Sequence, residues 1–463
     1  MKRVLVITYY WPPSGGSGVQ RWVKFAKYLL GEGWQCVVCT PENPDLIAED
    51  STLGAEIPPE VEVLRRPITE PYELYRRLLG RKKGQAVTPI SSGSKSFKEK
   101  LSLYIRGNFF VPDPRVWWVR PTARFLKKYL REHPVDVIVT TGPPQSMHLI
   151  GQRLAKATGI PWIPDFRDPW TKMYYLKHLP LTKCTWRRLE RMEQSVIDDA
   201  SAVLTVTPLV QEFYAAKTKT PVEMITNGFD EEDFADKPVS GVCLKSTTTA
   251  GQDGSIDSTT TAGQDGSIDS ATTAGQDFNV THTGLFAKDG NPLELWKVLG
   301  AMAAEDAEFR EKLRLRLAGK TDPEVLQAIA EAGLAQNVVD LGYCVHADAV
   351  REQKSATVLI LPLRHDPDYR IILPGKLFEY LASRRPMLGI GQVDGAMARV
   401  VSDCAAGAVC DWDDAEGMRR FLDKAWEAFK AGGVKPTEGD VSAFTRRATA
   451  HSLAALLDKV SRK

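Results

Sequence analysis

Long hydrophobic runs are missing from this chain. None of its apolar stretches approaches the roughly 20 residues that a membrane-spanning helix requires. Its hydrophobic residues, 43% of the total, are therefore expected in the cores of globular domains. The apolar stretch near the N-terminus stops at Pro12-Pro13 and is followed by no small-residue cleavage site. We predict a buried strand there and no signal peptide.

Cysteine is scarce, with seven in 463 residues. A low and odd number favours free thiols in a reducing compartment, so we expect a cytoplasmic protein. Cys36 and Cys39 form a Cys-x-x-Cys, but the apolar residues around them indicate a strand, in which side chains three apart point to opposite faces. This spacing argues against a metal or redox pair.

The chain also has little excess charge of either sign, because its net charge is only +2. The exception is segment 65–106, which carries eleven Lys or Arg against three Asp or Glu, interleaved with aromatic residues and leucines. Two interpretations stay open: peripheral contact with the anionic inner face of the cell membrane, where a lipid-linked acceptor would be reached, or a solvated loop. No nucleic-acid-binding motif accompanies the charge, so nucleic acid is not an expected partner.

Short apolar runs alternate with helical patterns along most of the chain, which predicts an α/β fold with parallel, doubly wound sheets. The length fits two such domains. The strands are predicted at Val4–Thr8, Trp34–Thr40, Val137–Thr141, Trp162–Asp165, Val203–Val206, Glu223–Ile225, Asn279–Thr283, Leu313–Leu317, Val338–Leu341, Thr357–Leu361 and Pro386–Ile390.

A twelve-residue repeat separates the two halves. Ser246–Asp257 recurs as Ser258–Asp269 and begins a third time at Ser270. Such units are rich in Gly, Ser and Thr and too short to have a core of their own, so we predict a disordered insertion. The alternative, a calcium-binding repeat, requires a spacing that these units lack.

Two glycine-bearing motifs are the strongest functional signals. Gly15, Gly16 and Gly18 follow the first strand, but they do not form Gly-x-Gly-x-x-Gly, and no acidic residue ends the next strand, which disfavours a dehydrogenase. The second motif, Leu373–Pro386, opens a helix with Pro-Gly-Lys. A helix start binds phosphate through its unpaired N–H groups, and Lys376 adds a full charge. Glu379, three residues on, lies on the same face, where its carboxylate can accept the hydroxyl protons of a ribose.

These motifs resemble the donor-binding helix and the glycine-rich loop of retaining family 4 glycosyltransferases. The resemblance implies the GT-B architecture, with two Rossmann-like domains, an interdomain cleft and a C-terminal helix that crosses back to the first domain. The implied parts are an acceptor-binding domain at 1–228, a linker at 229–277, a nucleotide-sugar-binding domain at 278–440 and the returning helix at 441–463. An ordinary amphipathic helix between two strands is the alternative for the second motif.

The implied activity is transfer of a hexose-type sugar, with retention, from a nucleotide-sugar donor to a glycan or lipid-linked acceptor in polysaccharide biosynthesis. The donor diphosphate is expected to be balanced by Lys, Arg and helix starts, without a metal or other cofactor, although Asp366-Pro-Asp368 and Asp411-Trp-Asp413 are weak metal-binding patterns. The expected donor-binding residues are Gly16, Gly18, Gly284, Lys288, Arg370, Gly375, Lys376 and Glu379.

Acceptor chemistry is predicted where strand Trp162–Asp165 ends. Asp168 is the candidate that orients or deprotonates an acceptor hydroxyl, and Arg167 is the candidate that holds a phosphate or leaving-group charge. A structural Arg-Asp pair that caps the next helix is the alternative. The other residues expected to line the acceptor side are Thr141, Gly142, His148 and Asn227.

One position departs from the family pattern. Where the family has a Glu eight positions before the counterpart of Glu379, this chain has Ile371. The departure leaves two further interpretations open: a nucleotide-sugar epimerase of the same architecture, and a glycan-binding or scaffold protein without turnover.

Overall fold

The computed structural model describes residues 1–44, 52–70, 97–235 and 277–462. The chain forms two compact units. The first unit comprises Met1–Asp230, Ile371–Gly375 and Ser442–Lys463, and the second comprises Glu231–Arg370 and Lys376–Val441. The repeats at 246–276 and most of the basic segment, 71–96, lie outside the described residues.

The first unit is built on a seven-stranded parallel sheet in the order β3-β2-β1-β4-β5-β6-β7. Both faces of its central strands are covered, so those strands consist almost entirely of buried apolar residues. The strands are β1 Lys2–Ile7, β2 Trp34–Pro41, β3 Glu62–Arg66, β4 Val137–Gly142, β5 Trp162–Phe166, β6 Val203–Thr205 and β7 Val222–Met224.

Helices connect these strands and cover both faces of the sheet. They are α1 Ser17–Leu29, α2 Phe97–Phe109, α3 Val116–Glu132, α4 Ser146–Thr158, α5 Lys183–Asp198 and α6 Pro208–Ala215. The helix α5 has one apolar stripe, because Leu189 and Val196 are buried while Trp186 and Met192 pack against the same core.

The second unit is built on a six-stranded parallel sheet in the order β10-β9-β8-β11-β12-β13. Its strands are β8 Phe278–Thr283, β9 Leu313–Ala318, β10 Val338–Gly342, β11 Val358–Pro362, β12 Met387–Ile390 and β13 Gly407–Cys410. Its helices are α7 Glu231–Phe234, α8 Leu293–Glu305, α9 Ala307–Lys312, α10 Pro323–Glu331, α11 His346–Ser355, α12 Gly375–Ser383, α13 Ala396–Asp403 and α14 Ala415–Lys430.

The last helix, α15 Arg446–Ser461, belongs to the first unit. Leu453 and Leu457 on this helix join the core that Val19 and Trp22 of α1 form. Short 3-10 turns complete the described structure at Thr52–Glu56, Tyr174–His178, Lys288–Gly290, Ala335–Asn337, Pro367–Ile371 and Ser442–Phe444.

The predicted fold class, α/β with two parallel sheets, is confirmed. Two strands were not predicted. β3 carries two arginines and one glutamate in five residues and lies at the sheet edge, and β13 is four residues long and begins with glycine. Neither has the apolar run of a central strand. In the described part of the chain, no helix combines the length and apolar character needed to cross a membrane.

Candidate functional site

In the second unit, polar side chains meet where β8 ends and α12 begins. His282 is buried at the end of β8, with its Nδ1 3.2 Å from the carbonyl oxygen of Ile360 and its Nε2 3.2 Å from Lys376 Nζ. A carbonyl oxygen only accepts, so Nδ1 carries the proton and Nε2 accepts from the lysine. Burial, and then the charge of Lys376, lowers the pKa of His282 to about 3. The imidazole is therefore neutral at physiological pH.

Lys376 is the second residue of α12. Besides His282, its Nζ donates to the carbonyl oxygen of Leu285 at 3.3 Å, so both acceptors are neutral. Burial lowers the pKa of Lys376 to about 8, while the negative charge of Glu379 acts in the opposite direction. The resulting cation stands at a helix start, beside N–H groups that helix geometry leaves unpaired, which is an arrangement that attracts an anion.

Gly284 makes room for this lysine. Its φ is +85°, which side chains rarely adopt, and a Cβ there would lie 2.5 Å from Lys376 Cε. A glycine is therefore required for the lysine side chain to cross the end of β8. Gly375, the other predicted glycine of this site, is the first residue of α12 and is half-buried.

Glu379 lies one turn along α12 and is half-buried. Its Oε2 accepts a hydrogen bond of 2.8 Å from Nε2 of Gln353, a fully buried residue of α11. The same nitrogen donates to Thr283 Oγ1 at 3.0 Å. The helix thus presents a cation and a carboxylate one turn apart. Lys376 bonds to His282 near the end of β8, whereas Glu379 is linked to that strand end only through Gln353.

The structure pairs two other predicted donor residues with carboxylates at the surface. Lys288 Nζ lies 3.0 Å from Glu324, and Arg370 Nη2 lies 2.8 Å from Asp394. Their charges are already balanced by these partners.

The acidic patterns do not assemble a metal site in the part of the chain that the structure describes, which has no cluster of three or more potential His, Cys, Asp or Glu ligands. Asp414 instead caps α14, as an acidic helix start predicts.

In the first unit, the loops after β1, β4 and β5 meet at one edge of the sheet, because the carboxyl ends of neighbouring parallel strands lie side by side. A Cβ on Gly18 would lie 1.5 Å from Arg167 Nη1, so the guanidinium rests against the start of α1. Arg167 also donates to the carbonyl oxygens of Gly142 at 3.3 Å and Pro143 at 2.6 Å.

Asp168, next to this arginine, is half-buried. Its partial burial raises the pKa of the carboxyl, and the charge of Arg167 acts in the opposite direction. A more basic carboxylate is better suited to accept a proton. The helix that follows, α5, is capped by Thr182, and the guanidinium of Arg167 bonds to loop carbonyl groups.

His148 of α4 packs beneath this edge and is fully buried. Its Nδ1 lies 2.9 Å from Thr140 Oγ1, and its ring lies 4.4 Å from that of Phe166. Burial lowers the pKa of His148 to about 3, so it is neutral. A Cβ on Gly142 would lie 2.5 Å from its Nε2, which explains the glycine at the end of β4. Thr141, between these strand residues, is fully buried.

The sequence did not reveal Arg21, a fully buried residue of α1. It donates to both oxygens of Asp165, at 3.2 and 3.3 Å, and to Oδ1 of the predicted residue Asn227 at 3.3 Å. Gly16, which precedes α1, has a φ of +105°, and among the described residues no atom lies within 4 Å of a Cβ placed there. The described structure therefore leaves space beside Gly16, and Arg21 holds the helix in place through its bonds to Asp165 and Asn227.

A family model matches part of the first unit. Residues 72–233 match the model of Glycosyltransferase Family 4. The resemblance to family 4 glycosyltransferases is confirmed. No curated protein sequence matches the chain.

Solved structures share the fold over nearly the whole chain. A glycosyltransferase from Rickettsia africae is 11% identical, with a TM-score of 0.60, and the match covers 99% of this chain and 98% of that one. A sucrose-phosphate synthase from Thermosynechococcus elongatus is 14% identical, with a TM-score of 0.58 and coverage of 99% of both chains. An Anabaena protein in complex with UDP-glucose is 12% identical, with a TM-score of 0.54, and the match covers 100% of this chain and 98% of that one. The fold is therefore GT-B.

The family match does not test the roles predicted for single residues. The structure brings Gly284, Lys376 and Glu379 together in the second unit, and Gly18, Gly142 and Arg167 together in the first. That the Gly16 loop and Lys376 contact one diphosphate stays a prediction.

Proposed function

We propose that this protein transfers a sugar from a nucleotide-sugar donor to a glycan or lipid-linked acceptor. The observation that carries the proposal is the start of α12, where the hydrogen-bond acceptors of Lys376 among the described residues are neutral and Glu379 lies one turn away. A diphosphate would give this cation its missing counter-charge. The ribose hydroxyls would donate to the carboxylate. In the proposed binding mode, this lysine and the helix start take the place of a metal.

The structure of a GT-B protein with UDP-glucose supports a nucleoside diphosphate sugar as the class of donor. The base and the sugar are read by pocket residues that vary within one fold, so they are left to the experiment.

On the acceptor side, Asp168 is the proposed proton acceptor or orienting group, and Arg167 the group that stabilises negative charge. The family resemblance adds that the leaving diphosphate helps to deprotonate the acceptor on the same face of the donor, which retains the anomeric configuration. Ile371 replaces the family's first Glu, so the product configuration, read from the anomeric proton by NMR, tests this point separately.

We propose further that exposed residues of α2 and α3 contact an anionic membrane. Leu101, Tyr104 and Phe109 of α2 and Trp117 of α3 are exposed large apolar residues, and Phe109 is 71% exposed. Lys100 and Arg106 on α2 add positive charge. Apolar side chains flanked by cations suit the interface of an anionic bilayer.

Flotation with vesicles that contain phosphatidylglycerol tests this contact, and the double variant L101S/F109S should bind less than wild type. Equal flotation of wild type and the double variant, or no flotation of wild type at low salt, would exclude the proposed membrane contact.

The transfer reaction is tested with UDP-, GDP- and ADP-sugars, with and without candidate acceptors. Release of nucleoside diphosphate that depends on an acceptor, and that K376A abolishes, is the expected result. Conversion of the sugar without an acceptor would identify an epimerase instead. Binding of donor with neither reaction would identify a non-catalytic protein.

A further inference from the structure

Gln353 connects three elements of the second unit through a single amide group. Its side chain on α11 is fully buried, and Nε2 donates to Oε2 of Glu379 at 2.8 Å and to Oγ1 of Thr283 at 3.0 Å. An ionised carboxylate only accepts, so the amide must turn its nitrogen toward Glu379. The orientation of the amide is therefore fixed by its neighbours.

Thr283, the second acceptor of Gln353, is itself held in place. Its backbone N–H donates to the hydroxyl of Tyr380 at 3.0 Å, and both residues are buried. Glu379 and Tyr380 are consecutive residues of α12. The end of β8 thus bonds directly to α12 through Tyr380, and indirectly through Gln353 and Glu379.

The same strand end also holds the cation of the site. His282, which precedes Thr283, accepts a hydrogen bond from Lys376. One strand end therefore sets the positions of Lys376 and Glu379 relative to each other. A nucleoside diphosphate has a fixed covalent spacing between phosphate and ribose, so a fixed spacing of the two side chains favours binding by reducing the conformational entropy that is lost.

Stability alone does not account for this glutamine. Its Oε1 is buried without a hydrogen-bond partner in the described structure, which is unfavourable for folding. An apolar side chain of the same shape would avoid that penalty but would provide no donor for Glu379.

We propose that Gln353 is a positioning residue that holds the Glu379 carboxylate for the ribose hydroxyls of the donor. The proposal rests on the proposed function. Gln353 engages Oε2 of Glu379, which leaves Oε1 for the ribose hydroxyls in this proposal. A carboxylate that is held before binding loses less rotational freedom when a ribose binds.

The test compares ribonucleotides with their 2′-deoxy counterparts, using UDP, ADP and GDP as probes in calorimetric titrations. Q353M removes the donor with little change of shape, and E379Q removes the charge of the acceptor. Wild type should prefer the ribonucleotide by about tenfold, as expected for a hydroxyl bound to a carboxylate. Q353M should reduce that preference to about threefold or less, with a smaller loss of affinity for the 2′-deoxynucleotide, which keeps only the 3′-hydroxyl.

Gln327 provides a matched control, because its Nε2 donates to Glu331 at 2.8 Å on the exposed face of α10, and Q327M should keep the wild-type preference. T283V is a second variant in case Q353M does not fold, and it should lower the preference in the same direction.

A Q353M protein that weakens both nucleotides equally, or that keeps the wild-type preference, would overturn the positioning role. Wild type that binds none of the diphosphates, or an E379Q protein that keeps the preference, would instead remove the proposed donor site itself. The two failures are therefore distinguishable.

Discussion

Arg21 and Asp165 form an ion pair in which both side chains are fully removed from solvent. Trp22 Nε1 donates to the same carboxylate at 2.9 Å, and the carbonyl oxygens of Ile225 and Thr226 each accept from the guanidinium at 2.9 Å. The pair joins the first helix to the ends of β5 and β7. It therefore fixes the loops that carry the candidate acceptor residues.

Replacing Arg21 should destabilise the first unit. R21M leaves Asp165 as an uncompensated buried charge, so we expect a loss of about 3–5 kcal/mol of unfolding free energy. Chemical denaturation measures this loss. K156A is the control, because Lys156 forms an exposed pair with Asp199 and its loss should cost less than about 1 kcal/mol. Equal effects of both variants would contradict the assigned role of the buried pair.

Adding one methyl group to Gly18 should displace Arg167, since a Cβ there would overlap the guanidinium. We expect G18A to lower turnover by about 100-fold, because small displacements of a reacting group have effects of this size. G31A is the control, because a Cβ on Gly31 would meet its nearest atom, the carbonyl oxygen of Tyr28, at an ordinary 3.5 Å. Wild-type turnover in G18A would exclude Arg167 from the reaction.

Donor affinity should fall at alkaline pH. The pKa of Lys376 is about 8 in the unbound protein, and a bound diphosphate would raise it. Above pH 8 the lysine must take up a proton on binding, so the dissociation constant should rise by up to about tenfold per pH unit. Calorimetry between pH 7 and 9.5 measures the change. In K376A binding should be weak without this dependence, and a wild-type affinity that stays constant would count against the lysine.

Two of the seven histidines should stay neutral down to about pH 5. Burial lowers the pKa of both His148 and His282 to about 3, far below the unfolded value. These two histidines contribute to the free energy of unfolding above pH 6.5, where they are neutral in both the folded and the unfolded chain. The contribution is lost as the pH falls from 6.5 toward 3, because in that range the unfolded chain binds protons that the folded protein does not. NMR of histidine-labelled protein, with H148Q and H282Q for assignment, shows whether these two resonances move. A shift between pH 7 and 5 would contradict the burial argument.

The sequence predicted the elements that local pattern determines. The Pro-Gly-Lys start of Leu373–Pro386 located α12, and with it the proximity of Lys376 and Glu379, since residues three apart share a helical face. Buried strands were found from their apolar runs. The edge strand Glu62–Arg66 was missed because its charges interrupt such a run.

Contacts between distant segments were not predictable from one sequence. Arg21 and Asp165 are 144 residues apart, and Gln353 and Glu379 are 26 apart on different helices. Only tertiary packing brings these residues together. His282 lies in the predicted strand Asn279–Thr283, and a histidine near the end of a buried strand is the one sequence signal that could have pointed to the partner of Lys376.

The central claim is that Lys376, at the start of α12, binds the diphosphate of a nucleotide sugar. Calorimetric titration of wild type, K376A and K297A with UDP-glucose, GDP-mannose and ADP-glucose tests it most directly. Lys297 is the matched control, an exposed lysine of the same unit that pairs with Glu294. The account predicts that wild type and K297A bind the same donor equally and that K376A binds it at least about 30-fold more weakly, as the loss of a charge-assisted phosphate contact implies. Equal binding by all three proteins would contradict the account.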